Sequence, residues 1–266
     1  MNTAETLVAI AEKSQAELNA VRGMNEELEN VLYNSASGGK SYYDAFWDAY
    51  QQNGNRTSYY SLFAWGGWNG KTFKPKYNMQ PIDAGQMFYQ FNRNEDGNDT
   101  VNLVELLNNA GVSVDFSRAT SLNYCFQNAK VRQIGVVDLS SCKNVNTVFA
   151  NTYWLNKIDK IIVNENNVFD TNCFLNCEAR DITFEGVLTS NLRIVSPLNK
   201  ASLVCFFDHD NIPGVLSSTT SGKTLTLSKS AVQKAFETSS GANNGNTSEE
   251  WLTLAATKSN WTITLA

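Results

Sequence analysis

The only histidine in the chain, His209, lies between Asp208 and Asp210. An imidazole beside a carboxylate can act as the base of a nucleophilic triad, where the carboxylate orients the ring and the ring takes a serine proton. That chemistry also needs a nucleophile elbow, and no Gly-x-Ser-x-Gly occurs. The Asp-His-Asp run therefore reads as the solvated end of a helix. Glu165, Glu178 and Glu185 could supply paired carboxylates, but glycoside cleavage depends on a separation that spacing does not give. They read as solvent-facing. The five cysteines are Cys125, Cys142, Cys173, Cys177 and Cys205. There is no Cys-x-x-Cys, and with one histidine the set lacks zinc-ligand spacing. The thiols read as small buried groups. The runs NEDGND and NENN have a calcium-like composition without the spacing of an EF-hand loop. Neither phosphate-binding glycine motif is present. The expectation is a protein that is not an enzyme, with no catalytic, cofactor or metal site.

Composition narrows the remaining classes. The chain has 266 residues, enough for one or two domains, and 42% are hydrophobic, enough for a sizeable core. Charged residues make up 18%, so it is not a disordered polyampholyte. The net charge of -5 argues against a nucleic-acid partner, which would need a cationic face. No apolar run is long enough for a membrane span. The start, MNTAETLVAIAEKSQ, lacks the basic and long apolar regions of a secretory signal, so cytoplasmic synthesis is expected.

The elements that would position any site begin with a helix. Residues 3–32 contain no proline and only Gly23. A heptad places Leu7, Ser14, Val21 and Leu28 at one seam position and Ile10, Glu17, Met24 and Val31 at the other. Six of these eight are apolar: Leu7, Ile10, Val21, Met24, Leu28 and Val31. They suit either an oligomeric coiled coil or a helix folded onto its own domain. The run SASGGK then breaks the helix. Residues 41–79 form an aromatic-rich module. Tyr42, Phe46 and Tyr50 share a helical face, whereas Trp65, Trp68 and Tyr77 could form either a small core or a sugar-stacking platform.

From residue 80 short blocks recur. Phe126-Gln127-Asn128, Phe149-Ala150-Asn151 and Phe174-Leu175-Asn176 are spaced by 23 and 25 residues. That interval matches one turn of a leucine-rich repeat. Each block is expected to begin with a strand, at Val114-Asp115-Phe116, Val137-Asp138-Leu139 and Ile161-Ile162-Val163. Leu122 or Val145 follows, then the phenylalanine, and then an asparagine that tolerates left-handed backbone. One coil cannot bury its own phenylalanine, but stacked coils can. The expected repeat core is therefore Leu122, Phe126, Val145, Phe149 and Phe174.

The pattern Leu-x-x-x-Phe-x-Asn after a strand resembles BspA-like leucine-rich repeats. Met87-Phe88 looks like an incomplete earlier coil, followed by the helical stretch VNLVELLNNAGV. The end of the chain, from LTLSKSAVQKAF to WTITLA, looks like a helix-strand-helix-strand cap. Ser196-Pro197 reads as the start of a helix reaching about Phe207, and Ser248 as the cap of a later one. The whole arrangement resembles repeat proteins encoded by phages and prophages. The expected class is α/β: a short leucine-rich-repeat-like solenoid at 80–195, preceded by an N-terminal helix at 1–40 and closed by an α/β cap at 196–266. The resemblance implies a virion structural protein, such as a tail, baseplate or capsid-surface component. It would be made in the host cytoplasm, assemble with itself (as a trimer, for example) and with other virion proteins, and present a binding surface to a host protein or glycan. The alternative is a bacterial surface adhesin.

Overall fold

The computed structural model describes Lys13, Ser14, Glu17, residues 36, 37, 40 and 41, and residues 58–65, 73, 75–92, 100–236 and 248–266. Two compact units divide the chain, Met1–Arg56 and Thr57–Ala266. In the first, Lys13, Ser14 and Glu17 are helical and exposed. The stretch expected to break the helix holds an antiparallel pair, β1 (Ala36–Ser37) and β2 (Lys40–Ser41). The seam residues Leu7, Ile10, Val21, Met24, Leu28 and Val31 lie outside the described residues, as do Tyr42, Phe46, Tyr50 and Trp68.

The second unit is mixed α/β with parallel sheets. In chain order it contains β3 (Val101–Asn102), α1 (Leu103–Asn109), β4 (Val131–Asp138), β5 (Asn144–Val145), β6 (Lys157–Val163), β7 (Val168–Phe169), β8 (Asp181–Gly186), β9 (Leu192–Ile194), α2 (Lys200–Val204), β10 (Lys223–Leu227), α3 (Lys229–Phe236), α4 (Glu249–Ala256) and β11 (Trp261–Leu265). Strands β3, β4, β6 and β8 form one parallel sheet in that order, and β5 pairs with β7. Register aligns Ile134 with Ile158 and Ile158 with Ile182; it also aligns Val137 with Ile161 and Ile161 with Phe184. All six are buried. Strand-to-strand contact therefore runs through two apolar columns, and each fully buried aliphatic or aromatic side chain contributes about 1.5–3 kcal/mol.

The turns between strands stack as well. Ring centroids are 5.4 Å apart for Phe63 and Phe88, 5.3 Å for Phe88 and Phe126, 5.8 Å for Phe126 and Phe149, and 5.1 Å for Phe149 and Phe174. Backbone hydrogen bonds follow the rings from layer to layer: Phe63 N to Met87 O, Phe88 N to Cys125 O, Phe126 N to Val148 O, and Phe149 N to Cys173 O. Adjacent layers align because residues in each turn adopt positive φ: Ser61 and Trp65, Gln86 and Gln90, Tyr124 and Asn128, Thr147 and Asn151, and Asn176. Leu122, Phe126, Val145, Phe149 and Phe174 are all buried within this stack.

Several local readings of the sequence are corrected. Residues 114–116 do not form a strand; Val114 makes one isolated bridge, to Met79. The strand position of that layer is interrupted by α1, where Asn102 Oδ1 accepts from Val104 N and Glu105 N. The helix closes at Gly111, whose φ of +67° lets Gly111 N reach Asn108 O and Val112 N reach Leu107 O. Strands β4 and β6 begin at Val131 and Lys157, ahead of the expected starts at Val137 and Ile161. Their first halves carry polar outward residues and do not look like strand in sequence. The Phe63 and Phe88 turns stack on the later ones. The compact-unit boundary at Arg56 accordingly falls inside the stretch read as a separate aromatic module.

The C-terminal part is a second parallel sheet, in the order β11-β10-β9. Phe207, Phe236 and Trp251 pack together beside it. The helix after Ser196-Pro197 is shorter than expected. Asn199, not Ser196, is its N-cap, accepting from Ser202 N at 2.8 Å. It stops before Phe206 because the returning chain takes the next carbonyls, Val215 N bonding Cys205 O and Leu216 N bonding Phe206 O. Ser202 Oγ accepts from Ile182 N, so α2 covers a backbone group at the open edge of β8. The expected elements at the end are present: β10, α3, α4 with Ser248 as N-cap, and β11.

Candidate binding surface

The outward side of the four-stranded sheet is polar because its inward positions hold the isoleucine and valine columns. Register lines up Asn102, Gln133, Lys157 and Asp181 across all four strands. Asn102 Nδ2 donates to Gln133 Oε1 at 3.0 Å, and Gln133 Nε2 donates to Asp159 Oδ1 at 2.6 Å. Lys157 lies 3.6 Å from both Asp159 and Asp181. Lys160 pairs with Glu185 further along. These exposed ion pairs add little stability, but they hold the row of side chains in place.

At the start of the strands this row opens into a groove of about 680 Å³. One wall is Trp154, which is 36% exposed and sits in the turn leading into β6. Lys130 Nζ lies 5.2 Å from the centroid of its ring, and Tyr153 meets it edge-on at 5.9 Å. Arg132 and Asn156 also line it; Asn156 N, just before β6, donates to Arg132 O in β4. Glu105, from the first turn of α1, lines it as well. The side chains of Arg132, Glu105 and Asn156 make no hydrogen bond or ion pair among the described residues. Reasoning from sequence missed this site. Its one signal was the aromatic pair Tyr153-Trp154 just before a strand.

The Asp208-His209-Asp210 run is not a simple solvated helix end. Asp208 Oδ1 lies 2.7 Å from Lys258 Nζ, and Lys258 is almost wholly buried. Asp208 Oδ1 also accepts from Gly214 N, and Lys258 Nζ donates to Ser218 Oγ. Burial pushes the Asp208 carboxyl up, but hydrogen bonds from Lys258 and Gly214 outweigh it and hold the carboxyl below its usual range. His209 forms a tight turn with Ile212, backbone to backbone, with Asp210 and Asn211 at positive φ. Its Nδ1 faces Phe207 O at 3.1 Å. The group is a structural anchor between the end of α4 and the loop after α2.

The five cysteines are free, four of them buried. Burial raises the thiol of each, Cys205 up to about 11, which favours the unreactive protonated form. Among the described residues no cluster of three or more histidine, cysteine or acidic side chains could hold a metal, and no helix is long and apolar enough to cross a membrane. Glu165 and Glu178 are exposed and Glu185 pairs with Lys160. Trp65 is 63% exposed and meets Tyr89 edge-on, while Tyr77 is half-buried. Compared with protein-family models, curated proteins and solved structures, the chain gives no significant match.

Proposed function

We propose that this chain is a non-enzymatic phage virion structural protein that presents the outward face of its four-stranded sheet as a binding surface. We read the stacked layers as a short BspA-like leucine-rich-repeat solenoid and residues 196–266 as its α/β cap. The carrying observation is the continuous stack Phe63, Phe88, Phe126, Phe149 and Phe174. A stack of that kind makes a rigid support, and its asparagine turns and phenylalanines are the features that resemble the family. Residues 1–56 would carry assembly, through self-association and contact with other virion proteins. The same open face with its Trp154 groove would also serve a bacterial surface adhesin, which is the second reading.

Mass spectrometry of purified particles tests the placement. Detection at a stoichiometric copy number supports a virion role. Absence from particles, with the protein recovered at the bacterial surface, favours the adhesin.

A further inference from the structure

We infer that the groove beside Trp154 binds a neutral oligosaccharide, with one sugar ring lying on the indole. This deepens the reading of the chain as a binding protein and rests on it. A sugar presents an apolar C–H face and a rim of vicinal hydroxyls, so its site needs an aromatic plane next to planar groups with two hydrogen-bonding atoms each. The groove supplies that combination. Trp154 is the plane, and its orientation is set by Lys130 over one face and Tyr153 against its edge. The residue is 36% exposed, and the sugar would lie on the face of the indole away from Lys130.

Around it stand a guanidinium, a carboxylate and an amide with no side-chain partner among the described residues: Arg132, Glu105 and Asn156. Each can bridge two adjacent hydroxyls. Gln133 beside them is already fixed by Asn102 and Asp159, so part of the floor is ordered before a ligand arrives.

Charge decides between ligand classes. The cations Lys130, Arg132 and Lys157 are matched in number by the carboxylates Glu105, Asp159 and Asp181. The groove therefore has no net cationic field for a polyanion, and the whole chain carries -5. The space of about 680 Å³ falls in the usual range for ligand pockets and exceeds what one sugar ring fills.

The test uses the full chain on an array of immobilised neutral oligosaccharides built from glucose, galactose, mannose or N-acetylglucosamine, with heparin and a mixed-sequence single-stranded DNA as charged probes. The expected result is binding to at least one neutral oligosaccharide and neither charged probe. Affinity should drop roughly tenfold or more in Trp154→Ala and separately in Arg132→Ala, and stay unchanged in the distant His209→Ala. Circular dichroism checks that each variant is folded; Arg132→Ala is on the surface and keeps the test valid if Trp154→Ala is not. Binding to no neutral oligosaccharide, binding to a charged probe alone, or binding unaffected in a folded variant overturns the inference. Particle content is scored separately. A chain present in particles that binds no oligosaccharide removes this ligand and leaves the virion reading. Oligosaccharide binding through Trp154 by a chain absent from particles supports this site and removes the virion placement.

Discussion

Phe88 and Phe126 stack 5.3 Å apart with their planes 3° from parallel, although 38 residues separate them in sequence. The flanking pairs Phe63–Phe88 and Phe126–Phe149 are 25 and 23 residues apart and also stack. The additional residues hold α1, which leaves the layer after β3 and returns before Val114. An insertion of that kind is tolerated because it sits outside the stack and costs only loop entropy. Removing a ring from within the stack is different. Phe149→Ala empties the space between Phe126 and Phe174 and is expected to cost about 3–5 kcal/mol in urea unfolding. A mutant that unfolds like the parent would show that the rings do not carry the core.

Asn151 tests the turn chemistry. Its φ is +57°, and its Oδ1 accepts from Asn176 Nδ2 at 2.9 Å and from Tyr153 OH at 3.3 Å. Asn151→Gly should cost at most about 1 kcal/mol, because glycine adopts this backbone freely although both hydrogen bonds are lost. Asn151→Val, with a branched side chain in left-handed geometry, should lower stability by about 2 kcal/mol. Equal melting of the two variants would argue against the left-handed turn.

The Asp208–Lys258 pair should be asymmetric on mutation. Asp208→Ala leaves a buried ammonium with only Ser218 and is expected to cost about 3–5 kcal/mol. Adding Lys258→Met should recover most of that loss. The Asp208 pKa is held below its ordinary 3.8, so its stabilisation is complete above the unfolded carboxylate range. It is lost as pH falls through the folded value, and above about pH 5 this carboxylate should add no slope. Acid unfolding curves for the parent and Asp208→Asn check the sign: the parent's advantage should shrink as pH falls below the ordinary carboxylate range.

Thiol titration with Ellman's reagent at about pH 8 should label none of the five cysteines quickly in the native protein and all five in guanidinium. Each thiol is raised by burial, and even Cys205, the least buried, is pushed up to about 11. Rapid labelling of any one of them in the native state would mean that its layer opens locally.

Truncation separates support from assembly. Residues 57–266 should fold and be monomeric by light scattering. Residues 80–266, which lack Phe63 and Phe73, should expose Phe88 and Phe91 and melt at a lower temperature. The full chain should be oligomeric. If it is monomeric, the heptad of residues 7–31 packs within its own unit.

Taken alone, the sequence determined the parts whose signals are local. The Phe-x-Asn recurrence marked three turns, because phenylalanine must be buried and asparagine tolerates positive φ. Ser248 marked a helix start, since its hydroxyl caps Trp251 N. The stretch around Leu103–Asn109 announced its helix through its leucines. Only tertiary structure decided the rest. The Phe63 and Phe88 turns carry Trp65 and Gln90 at the left-handed position and so lack the asparagine signature; stacking on the next layer imposes their conformation. Ser196-Pro197 looked like a helix start, but Asn199 capped the helix and residues 215–216 ended it. The groove beside Trp154 draws on β3, α1, β4 and the turn before β6. Its residues stand far apart in the chain, and parallel register alone brings them together.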